Sequence, residues 1–483
     1  MFNKRYVFHV IGLLMVLESL FMLVPAIVSL FYNDPNDLYP LLISSAITFI
    51  TGGILWYFNR NPEKDIGKRE GYLIASSVWI VYSIFGALPY LISGYIPDFT
   101  DAFFETISGF TTTGASILTD IERLPHGLLF WRSMTHLVGG IGILVLSIVV
   151  LPIFGTGSMY LYGAETSSAP SGKLHPKIKD SASRLLWIYL AFVGVLTVML
   201  LLGGMNLFDS LCHSFGTIAS GGFSPKNSSI AGYSPYIQYV IAVFMTIAAI
   251  NFNLHYFLLK GAFKKIFSNE ELKLFLIIMA GAILVIGISL FFIHQYDPER
   301  AFRDAFFNVS SIISTTGFAN TDFMIWTPFM WFILFFLLFI GGCAGSTAGG
   351  IKVVRYLLLF RNIPVQFQKL LHERGVIAVR LNGEIIHQDL IFRTLAFFII
   401  YLLVWVVSTF LLMVSGLPLP DSMGAAASCM AGCGPGLGSV GPIGNYEHLT
   451  NLSKWILSFD MLAGRLELFS FLILFTPYFW KAK

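Results

Sequence analysis

The chain has 483 residues, of which 12% are charged and 56% hydrophobic, and its mean hydropathy is +0.75. A soluble domain carries about 25% charged residues, so this composition excludes an ordinary water-soluble protein and implies a polytopic membrane protein. A net charge of +3 is too small to suggest a nucleic-acid partner.

A spanning helix needs ~20 apolar residues. The first apolar run, Tyr6 to Phe31, exceeds the core of a signal peptide and has no small-residue cleavage site near its end, so it reads as a membrane helix. Further spans are predicted at 40–58, 71–95, 127–153, 185–204, 235–259, 273–293, 327–360, 390–415 and 455–479. The 327–360 run is too long and too interrupted for one straight helix. Ten crossings put both termini on one side of the membrane.

Lysine and arginine choose the side. Lys4 and Arg5, then Arg60, Lys64, Lys68 and Arg69, then Lys173, Lys177 and Lys179 fall in alternate loops. Lys260, Lys264 and Lys265, then Arg361, Lys369, Arg374 and Arg380, then Lys481 and Lys483 continue the set. The other loops are nearly bare of basic residues. By the positive-inside rule both termini are cytoplasmic. Residues 163–182 read as a polar loop and 361–390 as a basic cytoplasmic linker.

Four times an aspartate precedes a glycine by thirteen residues: Asp101 and Gly114, Asp209 and Gly222, Asp304 and Gly317, Asp421 and Gly434. Each glycine lies in a small-residue knot between two apolar runs. The knots are Thr111-Thr112-Thr113-Gly114-Ala115, Ala219-Ser220-Gly221-Gly222-Phe223, Ser314-Thr315-Thr316-Gly317-Phe318 and Gly432-Cys433-Gly434-Pro435-Gly436. About ten helical residues between Asp and Gly would cover roughly 15 Å, half the hydrocarbon thickness. The Asp suits the N-cap of such a helix. Its C-terminal end, with partial negative charge, would point to the membrane centre.

Beyond that end the chain must run extended at membrane depth, which is tolerated only where it lines protein or water. Glycine and small hydroxyl residues let carbonyl oxygens face an ion, as in potassium filters. Glycines that merely let helices pack are the plainer reading of one knot. Four knots at one offset, all between spans and on one side, favour a pore. The expected fold is an all-α membrane protein: two leading helices (1–69), then four repeats of helix, pore helix and helix around one central pore. The repeats are read at 70–160, 161–266, 267–362 and 363–483. On offset Gly434 is the fourth filter glycine; Gly436 is the alternative. The candidate ion ligands are Thr111, Thr112, Thr113, Gly114, Ser220, Gly221, Gly222, Thr315, Thr316, Gly317, Cys433 and Gly434.

Gly341 to Gly350 holds five glycines and two alanines in mid-span. A continuous helix would lose ~1 kcal/mol per glycine relative to alanine. It reads as an intramembrane loop beneath the filter, a gate containing Gly345, Ser346, Thr347, Gly349 and Gly350. A tightly packed small-residue helix is the alternative. Arg465 lies deep in the last apolar run, where a charge usually faces the bundle interior or water. It reads as a fixed positive charge in the pore wall, or else as a structural partner of an acid such as Glu105. Lys352, just past the glycine loop, takes the same functional reading. Arg132, next to Trp131, reads as an interfacial anchor. His136, His213 and His255 read as hydrogen-bonded structure. The cysteines Cys212, Cys343, Cys429 and Cys433 have no His at metal spacing, so neither a zinc site nor a disulfide framework is expected.

The four knots, together with Trp131-Arg132, Gly139-Gly140-Ile141-Gly142, Lys173 to Ile178, Gly341 to Thr347, Gly349 to Lys352 and Met461 to Leu468, resemble the Trk/Ktr/HKT superfamily, and its TrkH branch in particular. The resemblance covers essentially the whole chain. It implies a dimeric potassium uptake protein of the bacterial inner membrane, with K+ as the transported ion and no bound organic cofactor. It also implies a cytosolic TrkA-like nucleotide-binding ring as partner; this chain has neither GxGxxG after a strand nor a Walker sequence. In relatives that pass sodium, serine commonly replaces the first filter glycine; position 114 is glycine, which favours potassium. A Na+ or Na+/K+ transporter of the same architecture is the nearest alternative. A secondary transporter for another solute is disfavoured by four repeats entering from one side. An enzyme is disfavoured by the lack of paired carboxylates, a Ser/His dyad or HExxH. No run of Asp, Glu or His threads a span, which weighs against proton-coupled symport.

Overall fold

The computed structural model describes residues 3–60, 68–150, 174–372 and 377–481. The predicted polar loop at 163–182 lies largely outside them. So do the end of the 127–153 span and the basic residues Lys64, Lys173, Arg374 and Lys483.

Two leading helices, Lys4–Tyr32 and Pro35–Phe58, form an antiparallel pair. Asn33 turns the chain between them in the left-handed region at φ 52°, and Asp34 accepts from Asn36 N at 3.2 Å to start the second helix. The pair crosses on glycine. A Cβ added to Gly12 would stand 2.6 Å from Trp56 N, so the backbones are in contact. Small residues at a crossing are how membrane helices approach without a hydrophobic driving force.

A pattern of long helix, short helix and second helix then recurs four times. The first copy is Lys68–Gly86 continuing into Leu88–Ser93, then Phe99–Phe110, then His126–Val150. The second is Leu174–Leu202, Leu207–Ile218, and Pro235–Ala248 with Phe252–Leu259. Glu270–Phe292, Pro298–Ile313, Pro328–Leu338 and, after a loop, Val353–Leu371 make the third. Gln388–Val414, Leu419–Ala431 and Asn451–Arg465 make the fourth. A two-residue hairpin, Arg380–Leu381 paired with Glu384–Ile385, precedes the fourth copy. The result is an all-α membrane fold.

Six helices among the described residues are long and apolar enough to cross a membrane, and seven if one bent pair counts as a single span. That bent pair is a correction. The span expected at 235–259 is not one continuous helix: it breaks between Ala248 and Phe252 with a bend of 101°. The predicted span at 455–479 also breaks, ending its helix at Arg465 before Glu467 takes φ 56°. The 327–360 stretch is interrupted, as its glycines require: helix stops at Leu338 and resumes at Val353.

Burial follows the same plan. The long helices turn side chains such as Leu30, Ile50, Phe292 and Ile399 outward, the surface expected against lipid. The short helices are enclosed: every residue from Ala102 to Phe110, and from Ala425 to Ala431, is buried.

Candidate ion-conducting site

Each short helix ends in a loop with the same backbone signature. Two residues lie in the left-handed region, two positions apart: Thr112 and Gly114, Ser220 and Gly222, Thr315 and Gly317, Gly432 and Gly434. Left-handed threonine and serine are uncommon, and such strain, about 1–3 kcal/mol per residue, persists only where the surroundings enforce it. The ring glycines are required by close contact between neighbouring loops. A Cβ on Gly114 would overlap Gly221 O, one on Gly222 would overlap Thr316 O, and one on Gly317 would overlap Cys433 O. One on Gly434 would lie 2.8 Å from Thr113 O, which returns the sequence of contacts to the first loop. The four loops therefore form a closed ring in which the carbonyl before each ring glycine abuts its neighbour. Gly434, not Gly436, holds the fourth place; Gly436 N instead donates to Val440 O at 2.7 Å.

The repeated aspartates do not cap the short helices, which corrects the sequence expectation. Asp98 and Asn206 are the caps in the first two copies, accepting from the backbone N–H of Asp101 and Asp209. Asp297 occupies the cap position in the third copy and Pro418 in the fourth. Capping belongs to residues with extended backbone just outside the helix, whereas Asp101, Asp209 and Asp421 are already in its first turn. Their side chains tie the outer end of each hairpin. Asp101 meets Lys454 at 2.6 Å, Asp209 accepts from Tyr233 at 2.9 Å, Asp304 accepts from Asn320 at 2.8 Å, and Asp421 accepts from Ser439 N at 3.2 Å.

One helical turn further in, a second polar residue holds the chain leaving the ring. Glu105 accepts from Ile117 N at 2.9 Å, His213 meets Ser224 at 3.1 Å, and Asn308 donates to Asn320 at 2.7 Å. The fourth copy has Ala425 there, and support comes from Tyr446, whose hydroxyl donates to Gly434 O at 2.7 Å.

Arg132 is no interfacial anchor. It is buried, pairs with Glu105 at 2.6 Å, donates to Ser224 O at 2.9 Å, and stacks on the Phe223 ring at 3.5 Å. A lone carboxylate buried at Glu105 would be costly, so the arginine is held inside by its charge. His136, one turn later, spans the same two copies: Nδ1 lies 2.7 Å from Gly109 O, and Nε2 accepts from Phe223 N at 3.1 Å. A carbonyl on one side and an N–H on the other fix the neutral tautomer with its proton on Nδ1.

The glycine loop lies against three of the four ring loops. Thr347 Oγ1 lies 3.0 Å from Ser220 Oγ, Gly349 N donates to Thr315 Oγ1 at 2.6 Å, and a Cβ on Gly349 would overlap Ala431 O. The bend in the second copy makes room and supplies partners. Ala249 O, released from helical bonding, accepts from Cys343 N at 2.8 Å, and Ala248 O accepts from Thr347 at 3.2 Å. Phe252 N, at the start of the next helix, donates to Gly345 O at 3.0 Å. Both loop stems pair as a parallel bridge, Ile340 with Ile351. Arg465 donates to Thr347 O at 2.9 Å and reaches Gly139 O at 3.4 Å. It thus meets the loop and not Glu105, which Arg132 occupies. Lys352 donates to Ala348 O within the loop, and Ser346 to Cys343 O.

This geometry can be set beside known proteins. A family model described as TrkH, cation transport protein, matches residues 40–481. The chain belongs to the TrkH family. It is 37% identical to the Trk system potassium uptake protein TrkH of Salmonella typhimurium over 99% of both chains. Against the potassium uptake protein TrkG of Escherichia coli it is 34% identical, again over 99% of both. The crystal structure of the potassium transporter TrkH from Vibrio parahaemolyticus superposes with a TM-score of 0.92 at 36% identity, covering 99% of this chain and 100% of that one. Membership of TrkH places the chain among transporters rather than enzymes.

All twelve residues expected at the ion path fall in or next to the ring loops, and the glycine loop with Lys352 and Arg465 forms a contact network against them. Sequence reasoning missed Glu105, Arg132 and Tyr446 as supports, whereas His136 is the hydrogen-bonded structural residue expected. The acid at Glu105 had a readable signal, because His213 and Asn308 share its offset of four from the repeated aspartate.

Proposed function

We propose that this chain takes up potassium ions across the cytoplasmic membrane, through a selectivity filter made by the four ring loops. The observation that carries this reading is the closed succession of contacts Gly114–Gly221, Gly222–Thr316, Gly317–Cys433 and Gly434–Thr113. Four short helices end at that ring, and each C-terminus contributes roughly half a negative charge, which favours a cation there. Main-chain oxygens of Thr112, Thr113, Ser220, Gly221, Thr315, Thr316 and Cys433 stand in for hydration water as the ion passes. Relatives named for potassium uptake at 34–37% identity, and glycine at position 114, favour potassium over sodium.

The loop from Gly341 to Gly350 is the gate. It closes the path by leaning on Ser220 and Thr315, and Arg465 adds a positive charge beside it. Opening requires those contacts to part. Both termini and the basic linker at 361–390 face the cytoplasm by the positive-inside rule. The working assembly is a dimer controlled by a cytosolic nucleotide-binding ring of the TrkA type; the relatives' names, which assign them to a Trk system, fit a multi-component machine. Rubidium uptake in cells lacking their own potassium uptake tests the proposal. Expression of this chain should restore uptake, and Gly114→Ser should admit sodium; absence of both effects would sink it.

A further inference from the structure

In the first and third copies, the residue before the ring glycine is a threonine tied to its own short helix through a second hydroxyl. Thr113 Oγ1 lies 2.9 Å from Thr111 Oγ1, and Thr111 donates to Ile107 O at 2.6 Å. The single proton of Thr111 is committed to that carbonyl, so Thr113 is the donor to Thr111. In the third copy Thr316 lies 2.7 Å from Ser314, which donates to Ser311 O at 3.3 Å, giving the same polarity. All four side chains are buried.

The second and fourth copies cannot build this relay. Their corresponding residues are Ala219 with Gly221 and Ala431 with Cys433. Around the ring the copies follow in order, so the two that carry relays face each other across the axis. The relays act on the residues whose carbonyls abut Gly434 and Gly222: Thr113 O and Thr316 O. The other two carbonyls, of Gly221 and Cys433, have no such tie within their own copy.

We propose that the two hydroxyl relays are positioning devices that hold opposite ring carbonyls apart and so set the preference for potassium over the smaller sodium ion. A carbonyl free to move inward can contract around sodium; one hinged to a short helix through two hydrogen bonds cannot. The proposal rests on the reading of the ring as the filter.

The test is the rubidium-to-sodium flux ratio of the full chain in proteoliposomes. Thr113→Val and Thr316→Val, which keep shape but remove the hydroxyl, should each lower the ratio about fivefold, the factor for one lost hydrogen bond. Thr113→Ser and Thr316→Ser should keep the native ratio, which a role in methyl packing would not allow. Ser314→Ala removes a single oxygen, threatens folding least, and should lower the ratio as Thr316→Val does. Gly114→Ser is run alongside. A lower ratio for Gly114→Ser with native ratios for Thr113→Val, Thr316→Val and Ser314→Ala overturns the relay and leaves the filter standing. Serine variants as impaired as the valine ones overturn it too. Native ratios throughout, Gly114→Ser included, overturn the filter reading itself.

Discussion

Arg132 holds three buried interactions at once. Its guanidinium serves Glu105, Ser224 O and the Phe223 ring, so it joins the exit strands of the first two ring loops. Removing one member of a buried ion pair typically costs about 3–5 kcal/mol, because the other charge is stranded. Arg132→Met should therefore lower thermal stability in detergent sharply, and Arg132→Met with Glu105→Gln should recover part of the loss. A double variant as unstable as the single one would mean that the charge pairing is not what matters. Gly221 offers a sharper steric case: a Cβ there would sit 2.6 Å from the His136 ring. Gly221→Ala should push that imidazole off Gly109 O and Phe223 N, reducing rubidium flux while Gly194→Ala, in open space, leaves it unchanged. At this scale the sequence shows the ring residues through a repeated offset. It hides Arg132, because a lone arginine after tryptophan looks the same at an interface and in a core. Only the fold brings Glu105 to it from 27 positions away.

Two interrupted helices meet at the glycine loop. The loop was legible, since five glycines in mid-span leave a continuous helix too weak. The matching bend after Ala248 was not, because Ile247-Ala248-Ala249-Ile250 is apolar and carries no proline or glycine. The bend is enforced from outside: Thr347 and Cys343 N take the carbonyls that an unbroken helix would have used. The Thr347 hydroxyl also lies 2.9 Å from Ile218 O, so its one proton is shared between that carbonyl and Ala248 O and links loop, bend and short helix. Thr347→Val removes this shared bond at a net cost of roughly 1 kcal/mol. On the gating role proposed above, resting rubidium efflux from proteoliposomes should rise severalfold. Deleting 344–348 should raise it further, and Arg465→Gln should raise it by removing the charge beside Thr347. Unchanged efflux in all three would remove the loop from the gating account.

At the scale of the whole molecule, the architecture follows from what a bilayer forbids. Backbone without helical bonding cannot face lipid, and among the described residues the four ring loops, the glycine loop and the bend are largely buried. Composition and periodicity were enough for the all-α class and the four copies. They could not give the order of the loops around the axis, since each knot reads alike; the contacts Gly114–Gly221 and Gly434–Thr113 supply it. The leading pair at Lys4–Tyr32 and Pro35–Phe58 stands outside the ring and is built on its own glycine crossing. Shortening it should affect assembly before selectivity, which membrane yield compared with the flux ratio would show.

The most direct measurement is a structure determined in thallium or rubidium, which scatter strongly enough to be located. The account predicts ion density on the axis enclosed by Gly114, Gly222, Gly317 and Gly434. Density elsewhere in the molecule, with none inside that ring, would contradict it.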